Sequence, residues 1–196
     1  KVVLLKSKRC FLLNQNFMSK NMGSSFNPVT PEAFKSGFRQ VPTVVTVVTF
    51  DAAEGPCGLT IGSFVSLSLD PPLVCFNVQQ ASVIHDHIVE AERFLVHVLR
   101  DDQADLSDQF ADSSKVSRDQ LDPTKIEVRS DNIPTLKNYL VRFDCKKREV
   151  LNGGDHSIIL GCVEQVDEGD PARPIVFHQR AYHAIGSHVA DQPHPK

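Results

Sequence analysis

Tryptophan is missing from this 196-residue chain, and tyrosine and methionine occur only twice each. A basic excess is missing as well. The 21 Lys and Arg face 24 Asp and Glu, a formal charge of −3, which argues against a general nucleic-acid binder. No apolar run reaches the roughly 18 residues of a membrane-spanning helix. Neither nucleic acid nor a membrane is therefore expected as a partner. The sequence also lacks GxSxG, HExxH, P-loop and GxGxxG patterns, so hydrolase, zincin, ATPase and Rossmann readings lose their main support. Its five cysteines, at positions 10, 57, 75, 145 and 162, include no CxxC pair, which removes the zinc-ribbon and thioredoxin-type signals. Cys75 and Cys162 sit in apolar runs, where a thiol behaves as a small hydrophobe. A reducing, cytoplasmic setting without disulfides is the expectation. Metal is not expected either. His85 and His87, two apart on a helix, would point to nearly opposite sides, and His178, His183, His188 and His194 lack zinc-finger spacing.

Acid is absent from one place in particular: residues 1–31 hold five bases and no Asp or Glu. Residues 1–27 read either as a basic targeting leader or as sequence upstream of a start at Met18 or Met22. The expected domain runs from 28 to 186, with a flexible tail at 187–196. With 41% apolar residues, a chain of this length can bury a substantial core.

Thr30-Pro31-Glu32 has the N-cap, first-turn proline and first-turn acid of a helix, which Gly37 should end. Thr43 to Phe50 reads as a strand by its β-branching. Gly58 to Leu69 alternates over twelve residues: Leu59, Ile61, Val65, Leu67 and Leu69 on one side, Thr60, Gly62, Ser66 and Ser68 on the other. Leu73–Val78, Phe94–Leu99, Tyr139–Val150, His156–Val166 and Pro174–Tyr182 are the remaining strands. Helices are expected from Ser82 to about Arg93 and from an Asp101 cap through Phe110, and residues 112–135 read as a long loop. Strands outnumber helices and follow in hairpin-like order. The expected fold is mainly β with flanking helices, a closed antiparallel barrel of Greek-key type, because closure removes sheet edges.

Three places carry candidate chemistry. A strand face of glycine and small hydroxyls lets a flat ligand approach the backbone; the competing reading is a packing surface. Ser82 at a helix start offers a hydroxyl and free amides, an anion site, or simply an N-cap. In Gly153-Gly154-Asp155-His156 a tight turn aims an acid and an imidazole outwards, where the acid can orient the ring toward a reacting or anionic ligand; the plainer reading is a hairpin turn with an exposed histidine.

In this order the segments resemble the flavin reductase family, the short-chain reductase partners of two-component flavin monooxygenases. The resemblance rests on Thr43–Thr49 and above all on Gly58-Leu59-Thr60-x-x-Ser63-Phe64-x-Ser66-x-Ser68-Leu69-Asp70-Pro71-Pro72-Leu73-Val74. Arg93-Phe94-x-Val96-x-Val98-Leu99, Phe110-Ala111, Ile133-Pro134-x-Leu136, Gly154-Asp155-His156 and Phe177-His178-x-x-x-Tyr182 extend it over about residues 30–185. It implies an FMN-binding split β-barrel that works as a homodimer. Such a protein would reduce FMN or FAD with NADH or NADPH and pass the reduced flavin to a separate oxygenase. By that resemblance the flavin ring would lie against Thr60, Ile61, Gly62, Ser63 and Phe64, with Ser66 and Leu67 nearby. Its ribityl phosphate would run toward Asn77 and Ser82. His156, next to Asp155 and with Arg180 and Tyr182, would lie on the nicotinamide side, His156 as the catalytic residue. Three departures stand out: Val83 follows Ser82 where a basic or hydroxyl residue is common, Gly62 stands where serine is frequent, and Ala111-Asp112-Ser113-Ser114 replaces a phenylalanine–alanine–glycine element. Lys115 or Arg118 is the candidate for the missing charge. Two other classes fit the same fold: a non-enzymatic flavin store, sensor or carrier, and a haem-binding barrel using His97 or His178.

Overall fold

The computed structural model describes residues 28–112 and 121–186. Cys10, the basic leader, Ser113, Ser114, Lys115, Arg118, His188, His194 and the tail from 187 lie outside them. The chain divides into two units, the boundary falling between Phe38 and Arg39. The first unit contributes helix α1 (Pro31–Phe38). Its start is as the sequence indicates: the Ala33 N–H donates to Thr30 Oγ1 at 3.2 Å, satisfying one of the amides that a helix N-terminus leaves without a partner.

The second unit is built on strands. β1 (Thr43–Val44), β2 (Thr46–Ala52), β3 (Gly55–Ile61), β4 (Val65–Leu69) and β5 (Pro72–Gln79) come first. Helix α2 (His85–Glu90), β6 (Arg93–Val98) and helix α3 (Ala104–Ala111) follow. The chain ends with β7 (Ile126–Val128), β8 (Pro134–Leu136), β9 (Val141–Asn152), β10 (His156–Glu168), β11 (Ile175–His178) and β12 (Ala181–Ala184). Seven strands form one antiparallel sheet in the order β3-β2-β6-β9-β10-β5-β4. Hydrogen bonding leaves β3 and β4 as its two margins, yet both ends of the sheet feed one core. Cys57, Leu59 and Ile61 of β3 join Val74, Phe76 and Val78 of β5, with Phe94 and Ile159 between them. The sheet is therefore curled around its apolar side. Phe76 and Phe94 meet edge to face there, centroids 5.3 Å apart, a favoured arrangement of two ring quadrupoles. The four described cysteines are free thiols, and burial pushes Cys57 and Cys145 up to about 12.

Several sequence expectations change here. The alternating run 58–69 is not one strand: it breaks at Gly62–Phe64, and its halves become the opposite margins of the sheet. Leu59 and Ile61 turn into the core, whereas Val65 and Leu67 are 51% exposed and Leu69 90%. Helix α2 is shorter than expected at both ends; Ile84 rather than Ser82 holds its cap position, with no side-chain cap bond. Asp101 does not cap α3 either. Gln103 holds that position, and the Asp101 carboxylate pairs with Arg173 at 2.7 Å. The stretch read as one loop contains the β7–β8 hairpin. Its three-residue strands are too short to show a period.

The expected last strand is also a hairpin, β11–β12. Its turn places two ordinary side chains in the left-handed region, Gln179 at φ 50° and Arg180 at φ 65°, where a Cβ costs about 1 kcal/mol or more per residue. Sequence offers no glycine or asparagine to announce it. Gln179 is held from outside: its N–H donates to the Arg39 carbonyl and its Nε2 to Gln40 Oε1. Arg180→Gly should therefore raise stability by about 1 kcal/mol in urea unfolding, and a loss of stability would show that the arginine side chain outweighs the strain.

Candidate active site

The glycine-and-hydroxyl side of β3 meets two different environments along its length. At Gly58 it is sealed. A Cβ there would lie 2.8 Å from the Phe110 ring and 2.9 Å from the Val48 carbonyl, so α3 sits directly on the backbone. At Thr60 the helix is tied down, with Thr60 Oγ1 donating to the Ser107 carbonyl at 2.6 Å. Beyond Thr60 the covering ends. A cavity of about 200 Å³ opens there, bounded by Thr43, Thr60, Ile61, Gly62, Ser107 and Tyr182 among others. The packing reading is thus right for Gly58, while Thr60–Gly62 border open space. Tyr182 reaches the cavity from β12. Its hydroxyl lies 2.9 Å from Ser107 Oγ and 2.7 Å from Asp108 Oδ1, and its ring stands edge-on to Phe177 at 5.3 Å. A Cβ at Gly62 would lie 3.1 Å from Thr43 Oγ1, close enough that the threonine side chain must give by a few tenths of an ångström. A serine there would crowd the cavity wall.

The strand break at 62–64 carries the chain from β3 to β4. Ser63 Oγ accepts the Asn77 N–H at 2.9 Å, which joins two expected site residues fourteen positions apart. Phe64 turns its ring inward, 5.4 Å from Phe143. The ring is half-buried there. Ser66 and Leu67 stand exposed on the margin strand β4. The register slips between Ser66 and Ser68, so Leu67 is the extra residue of a bulge that leaves its backbone unpaired in the ladder.

Asn77 leads along β5 to Gln79, which pairs with His156 at the start of β10. The Gln80 N–H donates to the Asp155 carbonyl at 3.0 Å and Gln80 Nε2 to the His156 carbonyl at 3.2 Å. Gly154, at φ 87°, makes the preceding turn. This anchors an exposed Asp–His pair in which His156 Nδ1 lies 2.8 Å from Asp155 Oδ1. The imidazole beside it holds the Asp155 carboxyl below its ordinary range, so a carboxylate orients the ring. His156 Nε2 makes no hydrogen bond to protein among the described residues. Ser82 enters this neighbourhood through its N–H, which donates to the Gln79 carbonyl at 3.0 Å. Its own amide is spent there, and α2 begins three residues later, so Ser82 is not the helix cap that the sequence suggests. Arg180 is exposed at the tip of the β11–β12 turn.

The structure therefore gathers Thr60, Ile61, Gly62 and Tyr182 at the cavity, ties Ser63 to Asn77, and sets Ser82, Asp155 and His156 against Gln79 and Gln80 at the end of β5. Ser107 and Asp108, which hold Tyr182, went unnoticed in the sequence. They lie on a helix 47 and 48 residues from Thr60, and no local pattern marks such a pairing. A larger cavity of about 490 Å³ lies elsewhere, between Asp51, His87, Glu90, Glu92, Arg93 and Asp131. Four carboxylates there make it unsuited to a phosphate-bearing guest.

Three other histidines have settled partners. His85 reaches Asp86 and Ser157, and His87 reaches Glu54, in different directions. His97 is fully buried and uses both ring nitrogens, Nδ1 toward the Val47 carbonyl and Nε2 toward Thr135 Oγ1 and the Leu136 N–H, which removes it as a haem ligand. No helix among the described residues is long and apolar enough to cross a membrane.

Comparison with known proteins gives the family. The family model described as "Flavin reductase like domain" matches residues 38–186. The chain is 38% identical over 141 residues to an FMN reductase (NADH) of Agrobacterium fabrum, covering 71% of this chain and 79% of the relative. It is 32% identical over 154 residues to the reductase component of the 4-hydroxyphenylacetate 3-monooxygenase of Thermus thermophilus, covering 79% and 96%. Among solved structures, the NADH:FAD oxidoreductase of Streptomyces globisporus in complex with NAD and FAD fragments superimposes with a TM-score of 0.74 at 28% identity, covering 84% of this chain and all of that one. This chain belongs to the flavin reductase-like family.

Proposed function

We propose that this chain is an NAD(P)H-dependent flavin reductase that takes FMN or FAD as substrate and hands the reduced flavin to a separate oxygenase. The observation that carries the reading is the cavity beside Thr60–Gly62, followed along the chain by the Ser63–Asn77 link. There, main chain and small side chains lie open to a planar guest, within a domain of this family. The activity is assigned to residues 28–186, with 1–27 and 187–196 outside it. When bound together, the nicotinamide supplies a hydride and the flavin accepts it. Such a transfer asks mainly for stacking and distance, so the protein contributes chiefly by positioning. Thr60, Ile61, Gly62, Ser63, Phe64, Ser66 and Leu67 would hold the ring. Asn77 and the Ser82 hydroxyl would take the ribityl phosphate. His156, oriented by Asp155, would hold the nucleotide, with Tyr182 and Arg180 on the same side.

A homodimer is part of this reading. Margin strand β4 presents Val65, Leu67 and Leu69 to solvent, and Val83 is 57% exposed. An apolar sheet margin of this kind invites pairing unless covered, and a second copy would cover it next to the flavin face.

The test is NADH and NADPH oxidation by the purified full chain with FMN, FAD or riboflavin added. A flavin-dependent rate is expected, together with a dimer by light scattering. A tightly bound yellow chromophore with no turnover on either nucleotide would mean a flavin carrier instead.

A further inference from the structure

The cavity beside Thr60 holds about 200 Å³, below the roughly 300–1,000 Å³ of sites that enclose whole drug-sized ligands and suited to one end of a ring system. Its polar wall consists of hydroxyls, each with one proton to give and lone pairs to offer. Thr60 Oγ1 gives its proton to the Ser107 carbonyl at 2.6 Å. Tyr182 has Asp108 Oδ1 at 2.7 Å and Ser107 Oγ at 2.9 Å, and the carboxylate, the stronger acceptor, takes the phenolic proton. Thr43 Oγ1 directs its proton to the Phe177 carbonyl at a longer 3.5 Å. No Lys, Arg or His lines the cavity among the described residues. Burial, with the Asp108 carboxylate adding to it against the Ser107 hydrogen bond, keeps the Tyr182 phenol above its ordinary value. The proton thus stays in place through neutral and mildly alkaline pH.

Thr60 and Tyr182, whose protons are given to protein, therefore show a guest lone pairs. Such a pair welcomes an N–H donor. We propose that this cavity is the subsite that reads the amide N–H of a redox ring, with Asp108 as the positioning residue that makes Tyr182 an obligate acceptor. The proposal rests on the reductase reading above and adds the recognition chemistry. Two groups in such a reaction carry that donor: the carboxamide NH2 of nicotinamide and the imide N3–H of the flavin.

Two substrate pairs separate the sources. The first is NADH against its reduced 3-acetylpyridine analogue, which keeps the carbonyl and replaces NH2 by methyl. The second is riboflavin against 3-methylriboflavin. Each ratio of kcat/KM is measured for the wild-type protein, Tyr182→Phe and Asp108→Asn. Dividing the wild-type ratio by the variant ratio cancels differences in intrinsic potential between analogues. One pair should show about tenfold discrimination in the wild-type protein, the worth of one hydrogen bond, falling to within twofold in Tyr182→Phe and shrinking in Asp108→Asn. A structural role alone would not move a ratio between two substrates of one enzyme. Discrimination in the first pair assigns the subsite to nicotinamide, and in the second to flavin. Equal treatment of both pairs by the wild-type protein, or ratios unchanged in both variants, overturns the proposal. If the chain oxidises no NADH with any flavin, the reductase reading fails separately. Equilibrium binding of riboflavin against 3-methylriboflavin and of nicotinamide against 3-acetylpyridine then reads the subsite, and equal affinities within both pairs overturn it.

Discussion

His156→Ala is expected to lower kcat/KM for the pyridine nucleotide about 10- to 100-fold while the flavin KM stays within about threefold. The magnitude follows from one hydrogen bond to a charged or strongly polar partner, about 1.5–3 kcal/mol, at about 1.4 kcal/mol per tenfold in rate. The direction follows from the geometry. Nδ1 is engaged by Asp155 at 2.8 Å, so the ring is already oriented and Nε2 is the atom left for a ligand. The backbone on either side is pinned by Gln80 and by the β5–β10 ladder, so truncation should remove a contact without moving the strand. Asp155→Asn, which keeps the imidazole and weakens its orientation, should cost a smaller part of the same effect. Stopped-flow reduction of bound flavin at saturating NADH and NADPH is the deciding measurement. Wild-type rates in His156→Ala with both nucleotides would take His156 out of the reaction.

That Asp–His pair was readable before any coordinates. Two adjacent glycines before an acid and a histidine confine the backbone enough to fix where the next side chains go. The α1 cap at Thr30 was readable for the same reason, since its information lies within four residues. What could not be read is where a periodic pattern changes meaning. The alternation from Leu59 to Leu69 survives the break at Gly62–Phe64, yet its apolar side is core in β3 and solvent-facing in β4. Periodicity records which side chains share a face, not which sheet the face belongs to.

The site divides along the same line. Residues close in sequence, Thr60 to Leu67, could be proposed together. Their partners could not, because Ser107, Asp108 and Tyr182 meet Thr60 only after α3 and β12 have packed, and nothing local distinguishes an α3 serine that anchors a tyrosine from any helical serine. Ser82 is the opposite case. A serine before a run of helix formers reads as a cap, but Ile84 and Ile88 are the buried residues, and their burial sets where α2 begins. Tertiary packing overrode the local signal.

Acid should unfold this protein through His97. The imidazole is fully buried at the centre of the anchor that holds the β7–β8 hairpin to the large sheet: Val47 on β2, Thr135 and Leu136 on β8, and the Tyr139 ring edge-on at 5.7 Å. Since the Leu136 N–H must donate to Nε2, the proton sits on Nδ1 and the ring is neutral. The charged groups facing it are Arg142 and Arg129, which oppose protonation, and Asp144, which favours it. Arg142 also donates to Thr135 Oγ1 and Asp144, and Arg129 to Asp144. Desolvation dominates and pushes His97 down to about 3. The unfolded chain, with an ordinary imidazole near 6.5, therefore binds a proton that the folded chain refuses. Stability is complete above about pH 6.5 and is lost as pH falls toward 3, at about 1.4 kcal/mol per pH unit. Between pH 6.5 and 4.5 the loss should reach roughly 2–3 kcal/mol. Urea unfolding across that window should show it in the wild-type protein, and His97→Gln, less stable at pH 7, should show a correspondingly flatter decline. The carbon-bound proton signals of His97 offer a second reading that does not depend on the variant folding: they should stay unshifted down to pH 4.5 in the native state. A titration near 6.5 with the fold intact would mean that the ring can take a proton without releasing the hairpin, and this account of the buried anchor would be wrong.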